Sequence, residues 1–257
     1  MATKFETFKA LHSEKDLFIL PNAWDAESAS ILEKSNFSAV GTSSAAVATM
    51  LGYADGEEMP LQEYLLIIRR IAASVTIPFT VDFEMGYGKT KEAIYTNIEK
   101  LLEAGVVGIN IEDSKITNGA RQLREAKEFA QTVEFIKNKL SKSQMSLFIN
   151  LRCDTYLLDV KEKRKETTER LKLYENAGAD GIFLPFIKNE EDIKKAVADT
   201  KLPLNVMAMP GLPDIDVLKD IGVKRLSMGP FLHNKTYSVM HDLAKKVFES
   251  KSIKPII

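Results

Sequence analysis

Leu101-Leu-Glu-Ala-Gly-Val-Val-Gly-Ile-Asn-Ile-Glu112 reads as the end of a helix, a glycine turn and a short apolar strand that finishes on an acid. Gly105 stands where a helix C-cap takes positive φ, and the strand follows within a few residues. The same unit returns in Tyr174-Glu-Asn-Ala-Gly-Ala-Asp-Gly-Ile-Phe-Leu-Pro185 around Gly178 and in Leu218-Lys-Asp-Ile-Gly-Val-Lys-Arg-Leu-Ser-Met-Gly229 around Gly222. The remaining apolar runs place strands near 17–22, 39–43, 79–84, 108–112, 147–152, 181–185, 204–208 and 225–228. Helices are predicted between them at 24–35, 61–74, 90–104, 123–142, 162–177, 189–199 and 214–221, with a further one near 3–12 and a last one over 234–250. Over 90–104, Ile94, Ile98, Leu101 and Leu102 form an apolar stripe, while Lys91, Glu92, Glu99 and Lys100 lie off it. Regular strand–helix alternation implies parallel strands. Eight such units in 257 residues predict an α/β chain folded as a (β/α)8 TIM-type barrel, with an extra N-terminal helix and a C-terminal helix outside the repeat. A doubly wound open sheet fits less well: its strand count is usually lower, and no Gly-x-Gly-x-x-Gly follows the first strand.

Nothing divides residues 1–257, since Pro, Gly and Ser are scattered, so one barrel domain is expected. A formal net charge of -1 gives no basic footprint for nucleic acid and no reason to expect a membrane surface as partner. No apolar run approaches the roughly 20 residues of a membrane helix, and Met1-Ala-Thr-Lys-Phe-Glu6 lacks a secretory apolar segment. One cysteine, Cys153, allows no intramolecular disulfide and fits a reducing cytoplasm. Three histidines, His12, His233 and His241, argue against a histidine-built zinc site.

Barrel active sites lie at the C-terminal ends of the strands, so the polar residues there are the candidates. In Val81-Asp-Phe-Glu-Met-Gly-Tyr-Gly88, strand alternation puts Asp82 and Glu84 on one face. Two such carboxylates are costly to bury without a cation or proton between them. Glu112, ending Gly108-Ile-Asn-Ile-Glu112, adds a third acid, and the set suits Mg2+, with Mn2+ as the alternative. Asn22, Ala23, Trp24 and Asp25 follow the first strand, where Asp25 reads equally well as the N-cap of the next helix. Gly41-Thr-Ser-Ser-Ala45 ends the second strand, and its backbone N–H groups could approach an anion or simply pack tightly. Asn150, Arg152 and Asp154 belong to the fifth strand and Asn205 to the seventh. The planar fork of Arg152 suits a carboxylate or phosphonate, with a structural ion pair to Asp82, Glu84 or Asp154 as the other reading. A divalent metal beside an arginine and backbone donors stabilises an enolate oxygen, which points to 2-oxo acid chemistry.

Taken in order, Leu20-Pro-Asn-Ala-Trp-Asp25, Thr42-Ser-Ser-Ala45, Gly52-Tyr-Ala-Asp-Gly-Glu57, Val81–Gly88, Gly108–Asp113, the Arg152 strand and Pro203-Leu-Asn-Val206 resemble the isocitrate lyase/phosphoenolpyruvate mutase superfamily. The likeness covers about residues 15–240 and is greatest to the smaller, phosphonomutase-type branch. It implies a Mg2+-dependent barrel that makes or breaks C–C or P–C bonds beside a 2-oxo acid. By that resemblance Asp82 binds the metal directly, and Glu84, standing where the family has Asp, acts through metal-bound water. Glu112 and Asp55 complete the metal shell. Ser43, Ser44 and Ala45 hold the substrate carboxylate, Trp24 and Asn205 line the substrate site, and Arg152 binds substrate.

Two departures bear on the reaction. The lyases that cleave isocitrate and methylisocitrate carry Lys-[Lys/Arg]-Cys-Gly-His on a mobile loop after the fourth strand. Here that loop reads Ser114-Lys-Ile-Thr-Asn-Gly-Ala120. Those lyases also have a Glu at the end of the sixth strand, where this chain has Pro185-Phe186. Both point away from tricarboxylates. Lys115-Ile-Thr-Asn118 partly echoes the Lys-Thr-Asn element of phosphoenolpyruvate mutase and phosphonopyruvate hydrolase, which makes Lys115 and Asn118 candidates for a catalytic or gating role on a loop that closes over substrate. The expected activity is cleavage or rearrangement of a C–C or P–C bond of a small 2-oxo acid or phosphonate through an enolpyruvate-like intermediate, lyase-type favoured. Mutase, phosphonopyruvate hydrolase and a catalytically silent binding barrel are the alternatives. The last helix carries a stripe at Val239, Met240, Leu243 and Val247. It could cover its own barrel, while the resemblance implies exchange with a neighbouring subunit in a homodimer or homotetramer.

Overall fold

The computed structural model describes residues 2–257. In chain order its strands are β1 (Phe18–Leu20), β2 (Asn22–Ala23), β3 (Val40–Thr42), β4 (Phe79–Asp82), β5 (Gly108–Glu112), β6 (Ser114–Thr117), β7 (Ala120–Leu123), β8 (Phe148–Arg152), β9 (Gly181–Phe183), β10 (Leu204–Met207) and β11 (Arg225–Ser227). Nine of them form one sheet in the order β1-β11-β10-β9-β8-β5-β4-β3-β2, with every pairing parallel. β1 and β2 are two halves of one barrel strand interrupted at Pro21, which has no N–H to donate. The Pro21 carbonyl still accepts from Gly41 N at 2.9 Å. Because β1 pairs with β11 and β2 with β3, the sheet closes on itself as the predicted barrel.

The helices are α1 (Lys4–Leu11), α2 (Ala26–Lys34), α3 (Ser44–Leu51), α4 (Leu61–Ser74), α5 (Lys91–Glu103), α6 (Ala126–Lys142), α7 (Lys163–Asn176), α8 (Glu190–Asp199), α9 (Ile215–Ile221) and α10 (Phe231–Ser250). Gly105, Gly178 and Gly222 take φ of 86°, 89° and 102° at the ends of α5, α7 and α9, as the repeated unit requires. Ile94, Ile98 and Leu101 of α5 are buried against the sheet. Alternation along each strand separates two environments. Val81, Ile109, Ile111, Ile149, Leu151 and Ile182 belong to the apolar core, whereas Asp82, Asn110 and Asn150 share one register level and Glu112, Arg152 and Phe183 the next.

Two elements differ from the sequence reading. Ser44–Leu51, taken as part of a strand-end loop, is the helix α3, and the segment before α6 is the antiparallel hairpin β6–β7. Asn118 (φ 52°) and Gly119 (φ 75°) turn that hairpin. Asn-Gly is the strongest short hairpin signal, so the sequence contained it.

At the other end, α1 closes the barrel. Its Phe8 packs with Leu11, Leu20, Ala39, Val107 and Phe148. A Cβ on Gly108 would lie 2.9 Å from the Phe8 ring, so only glycine leaves room for the plug there. Phe8→Ala is expected to cost about 3–5 kcal/mol, measured by denaturant unfolding. His12 stacks on Phe148 within this cluster, and burial, followed by the nearby Arg225 charge, lowers its pKa to about 3.

Candidate active site

β4, β5 and β8 bring their inward carboxylates and Arg152 to the C-terminal mouth of the barrel, where a cavity of about 490 Å³ opens. Asn22, Ser43, Ser44, Ala45, Asp55, Asp82, Asn110, Arg121 and Arg152 line its charged side. Ser44 Oγ lies 2.9 Å from Asp82 Oδ2 and 3.3 Å from Asp55 Oδ1. One hydroxyl proton cannot serve both carboxylates at once. Ser43 caps α3 by accepting from Ala46 N at 3.3 Å, so the first amides of that helix stand at the cavity with Ser44 and Ala45. Positive partial charge at a helix N-terminus favours an anion.

Glu84 follows β4 with φ 49° and is buried. Its carboxylate accepts from Glu57 N at 2.7 Å and from Tyr87 OH at 3.0 Å. Burial, then the charges of Asp55 and Asp82, push its pKa up to about 8. Burial also raises Asp82, with Arg152 opposing it and Asp55 adding to it. Neither acid has an ion pair among the described residues.

Glu112 and Asp154 are neutralised differently. Arg152 Nε donates to Asp154 Oδ1 at 2.6 Å, and its Nη1 lies 2.8 Å from Glu112 Oε2. Burial works against the Arg152 charge, but Asp154 and Asp82 outweigh it and push the pKa up. Arg121, on β7, pairs with Glu112, donates to Ser114 Oγ at 2.8 Å and reaches Asp154 at 3.6 Å and Asp55 at 4.0 Å. The sequence reading did not single it out. In the hairpin, Ser114 and Ile116 share a face with Leu123 and Arg121, while Lys115, Thr117, Ala120 and Gln122 share the other. Ile116 of the first face packs into the space that a Cβ on Gly56 would take, which docks the hairpin on the loop before α4.

The structure therefore brings together Asp82, Glu84, Glu112, Asp55, Ser43, Ser44, Ala45 and Arg152. Lys115 is exposed on the hairpin's outer face and Asn118 sits at its tip. Trp24 lies in a groove between α2 and α10, edge-on to His233 at 5.1 Å. Asn205 is buried and donates to Ser227 Oγ at 3.3 Å. Asp25 is the N-cap of α2, accepting from Ser28 N at 2.7 Å.

No three of His, Cys, Asp and Glu converge on a single metal position among the described residues. Asp82, Glu84, Glu112 and Asp55, expected from the sequence as the metal set, are therefore not arranged as a cage of three direct ligands. Asp82 has no ion pair among the described residues, Glu84 holds a proton that a cation would displace, and buried Glu112 Oε2 accepts no hydrogen bond although Arg152 Nη1 stands 2.8 Å away. Oxygen donors in need of positive charge and of a hydrogen-bond donor fit a hydrated divalent cation.

A family model described as phosphoenolpyruvate phosphomutase matches residues 8–248. The chain belongs to that family. Lyases and mutases stand among the curated relatives of this family member. An uncharacterized protein of Mycobacterium tuberculosis is 32% identical over 223 residues, 87% of this chain and 81% of that one. A structure from Burkholderia cenocepacia J2315, provisionally assigned as a phosphonomutase, is 31% identical, with TM-score 0.89 and coverage of 95% and 98%. A phosphonopyruvate hydrolase solved with oxalate and Mg2+ shares the fold at 20% identity and TM-score 0.87, covering 99% of this chain and 90% of that one.

The raised acids set a pH dependence. Glu84 in the folded protein keeps a proton that the unfolded chain, with a value near 4.5, has lost. Metal-free stability is thus expected to fall as pH rises towards 8, as folded Glu84 resists ionisation. His12 acts oppositely: the unfolded chain takes up a proton below about 6.5 that the folded one refuses down to about 3, so stability falls as pH drops through that range. The two effects offset each other between about pH 4.5 and 6.5, so thermal melts of metal-free protein should be highest and flat across that range and fall on either side, and Mg2+ should lift the alkaline side.

Proposed function

We propose that this chain, acting as one barrel domain, is a Mg2+-dependent enzyme that cleaves a C–C or P–C bond of a small 2-oxo acid through an enolpyruvate-like species. Lyase-type cleavage is the favoured reaction, and Mn2+ is the alternative metal. The observation that carries this reading is the pairing of two features at one mouth: a cation-seeking acid group around Asp82 and an arginine fork held rigid by Asp154. Asp82 and Asp55 would hold the ion, with Glu84 and Glu112 meeting its waters. When bound, the ion supplies positive charge that lowers the energy of an enolate oxygen. Arg152 binds the carboxylate end, and the N-terminal amides of α3 at Ser44 and Ala45 orient it. Ser43 fixes those amides by capping the helix. The docked hairpin brings Arg121 to Glu112 and covers that side of the site against bulk solvent, as closed active-site loops do.

Thermal unfolding with Mg2+ and oxalate, an enolate mimic, tests the reading. A rise in Tm that needs both components is expected, and no shift would count heavily against it. Assays of pyruvate release from oxaloacetate, phosphonopyruvate and substituted malates then separate the reactions.

The same proposal includes assembly in the cytoplasm as a homodimer or homotetramer. Tyr237, Val239, Met240 and Phe248 are exposed on α10, and of that helix only His233 is buried. Light scattering is expected to give a dimer or larger; a monomer would remove this part.

A further inference from the structure

Arg225, which opens β11, is a buried cation that the proposed chemistry leaves unused. It is 1% exposed, and no carboxylate pairs with it among the described residues. Its Nε and Nη1 have no hydrogen-bond partner, while Nη2 donates to Asn110 Oδ1 at 3.2 Å. The Phe8 ring of the α1 plug stands 6.0 Å from the guanidinium carbon. Burial lowers the Arg225 pKa to about 9, with the Asp82 charge opposing. A buried cation without a counter-charge is held at a cost in stability, so its single polar contact needs a reason. That contact fixes the Asn110 amide. A guanidinium only donates, so the atom facing it must be the carbonyl oxygen. Asn150 Nδ2 donates to the same oxygen at 2.9 Å. The NH2 group is thereby turned the other way, into the cavity that Asn110 lines, on the register level of Asp82. Asp82 Oδ1 accepts from it across 3.5 Å, a long bond, and the second N–H is left for a ligand.

We propose that Asn110 touches the substrate, its Nδ2–H donating to the oxygen that becomes negative in the enolate-like species, and that Arg225 is the positioning residue that holds the amide in this orientation. This rests on the enolate chemistry proposed above and adds a donor to it. A fixed donor aimed where negative charge develops is worth about 100- to 1,000-fold in rate. It also sets a specificity, because an N–H of a ligand at this point would meet donor with donor and leave both unpaired. Arg225 acts only through Asn110: its charge forces the carbonyl oxygen downwards, and a neutral residue in its place would let the amide turn over.

Titration calorimetry with Mg2+ alone, and then with oxalate on the Mg2+-loaded protein, tests both roles. Asn110→Ala should leave Mg2+ affinity within about twofold and weaken oxalate by about tenfold or more. Arg225→Met should show the same split, and the double variant should lose no more than Asn110→Ala alone, since one contact is being removed twice. Unchanged oxalate affinity in Asn110→Ala would overturn the proposal. Equal losses of Mg2+ and oxalate would overturn it too, because Asn110 would then act only on Asp82. Losses that add in the double variant would overturn the role given to Arg225. A crystal structure of the wild-type Mg2+–oxalate complex tests the contact without any variant: Asn110 Nδ2 should lie within about 3.2 Å of an oxalate oxygen, and a gap beyond about 4 Å would overturn the proposal. Failure of the wild type to bind oxalate would overturn the proposed function together with it.

Discussion

Asp82→Asn is expected to abolish Mg2+-dependent oxalate binding while making the metal-free protein more stable. Asp82 is partly buried with its pKa raised by burial and by Asp55, and Glu84 is raised by both aspartates. Removing the Asp82 charge relieves this repulsion, and an amide of the same shape still fits between Ser44 and Asn110. The ion, however, loses its main anionic donor. Residues that only support a metal ligand already cost about 10- to 100-fold when changed, so loss of a direct carboxylate should cost at least about 100-fold. Calorimetry and thermal melts, each with and without Mg2+, read both signs. Retained affinity would remove Asp82 as the ligand, and a lower metal-free Tm would mean that its charge is not under strain.

Arg152→Gln carries the second large effect, and it should appear in folding and binding together. The guanidinium donates to Asp154 and stands against Glu112, so its removal leaves two buried carboxylates leaning on Arg121 and Ser114. Breaking one partner out of a buried pair costs about 3–5 kcal/mol of stability. A ligand carboxylate that loses its charged partner weakens by about 2–5 kcal/mol, roughly 30- to 5,000-fold. Arg152→Lys separates the two roles, because lysine keeps the charge but not the planar fork. Stability should largely return, and oxalate affinity should not. An Arg152→Lys protein that binds oxalate like the wild type would reduce Arg152 to a structural ion pair.

Much of the site could be read from local pattern. Strand alternation places Asp82, Asn110 and Asn150 on the inward face, and parallel register stacks Glu112 beside Arg152. Residues whose direction depends on a non-repeating loop were harder. Lys115 and Arg121 lie on the same hairpin, and only the pairing of β6 with β7 decides that Arg121 faces the acids and Lys115 faces away. Trp24 directly follows a barrel strand, yet α10 offers its ring an apolar groove with His233. Ser43 to Leu51 looked like a loop because small residues lack a strong apolar stripe, while Gly52, at φ 85°, ends the helix as a C-cap would.

The sequence by itself determined the barrel, its catalytic end and the acids that face into it. Those follow from periods of two and 3.6 residues and from glycines at helix ends, all of which act over short stretches of chain. Tertiary structure decided which charges are answered. Glu112 and Asp154 meet arginines delivered by a hairpin and a neighbouring strand, while Asp82 and Glu84 meet none. Coulomb energy and desolvation depend on distance and burial in space, and no spacing along the chain encodes either.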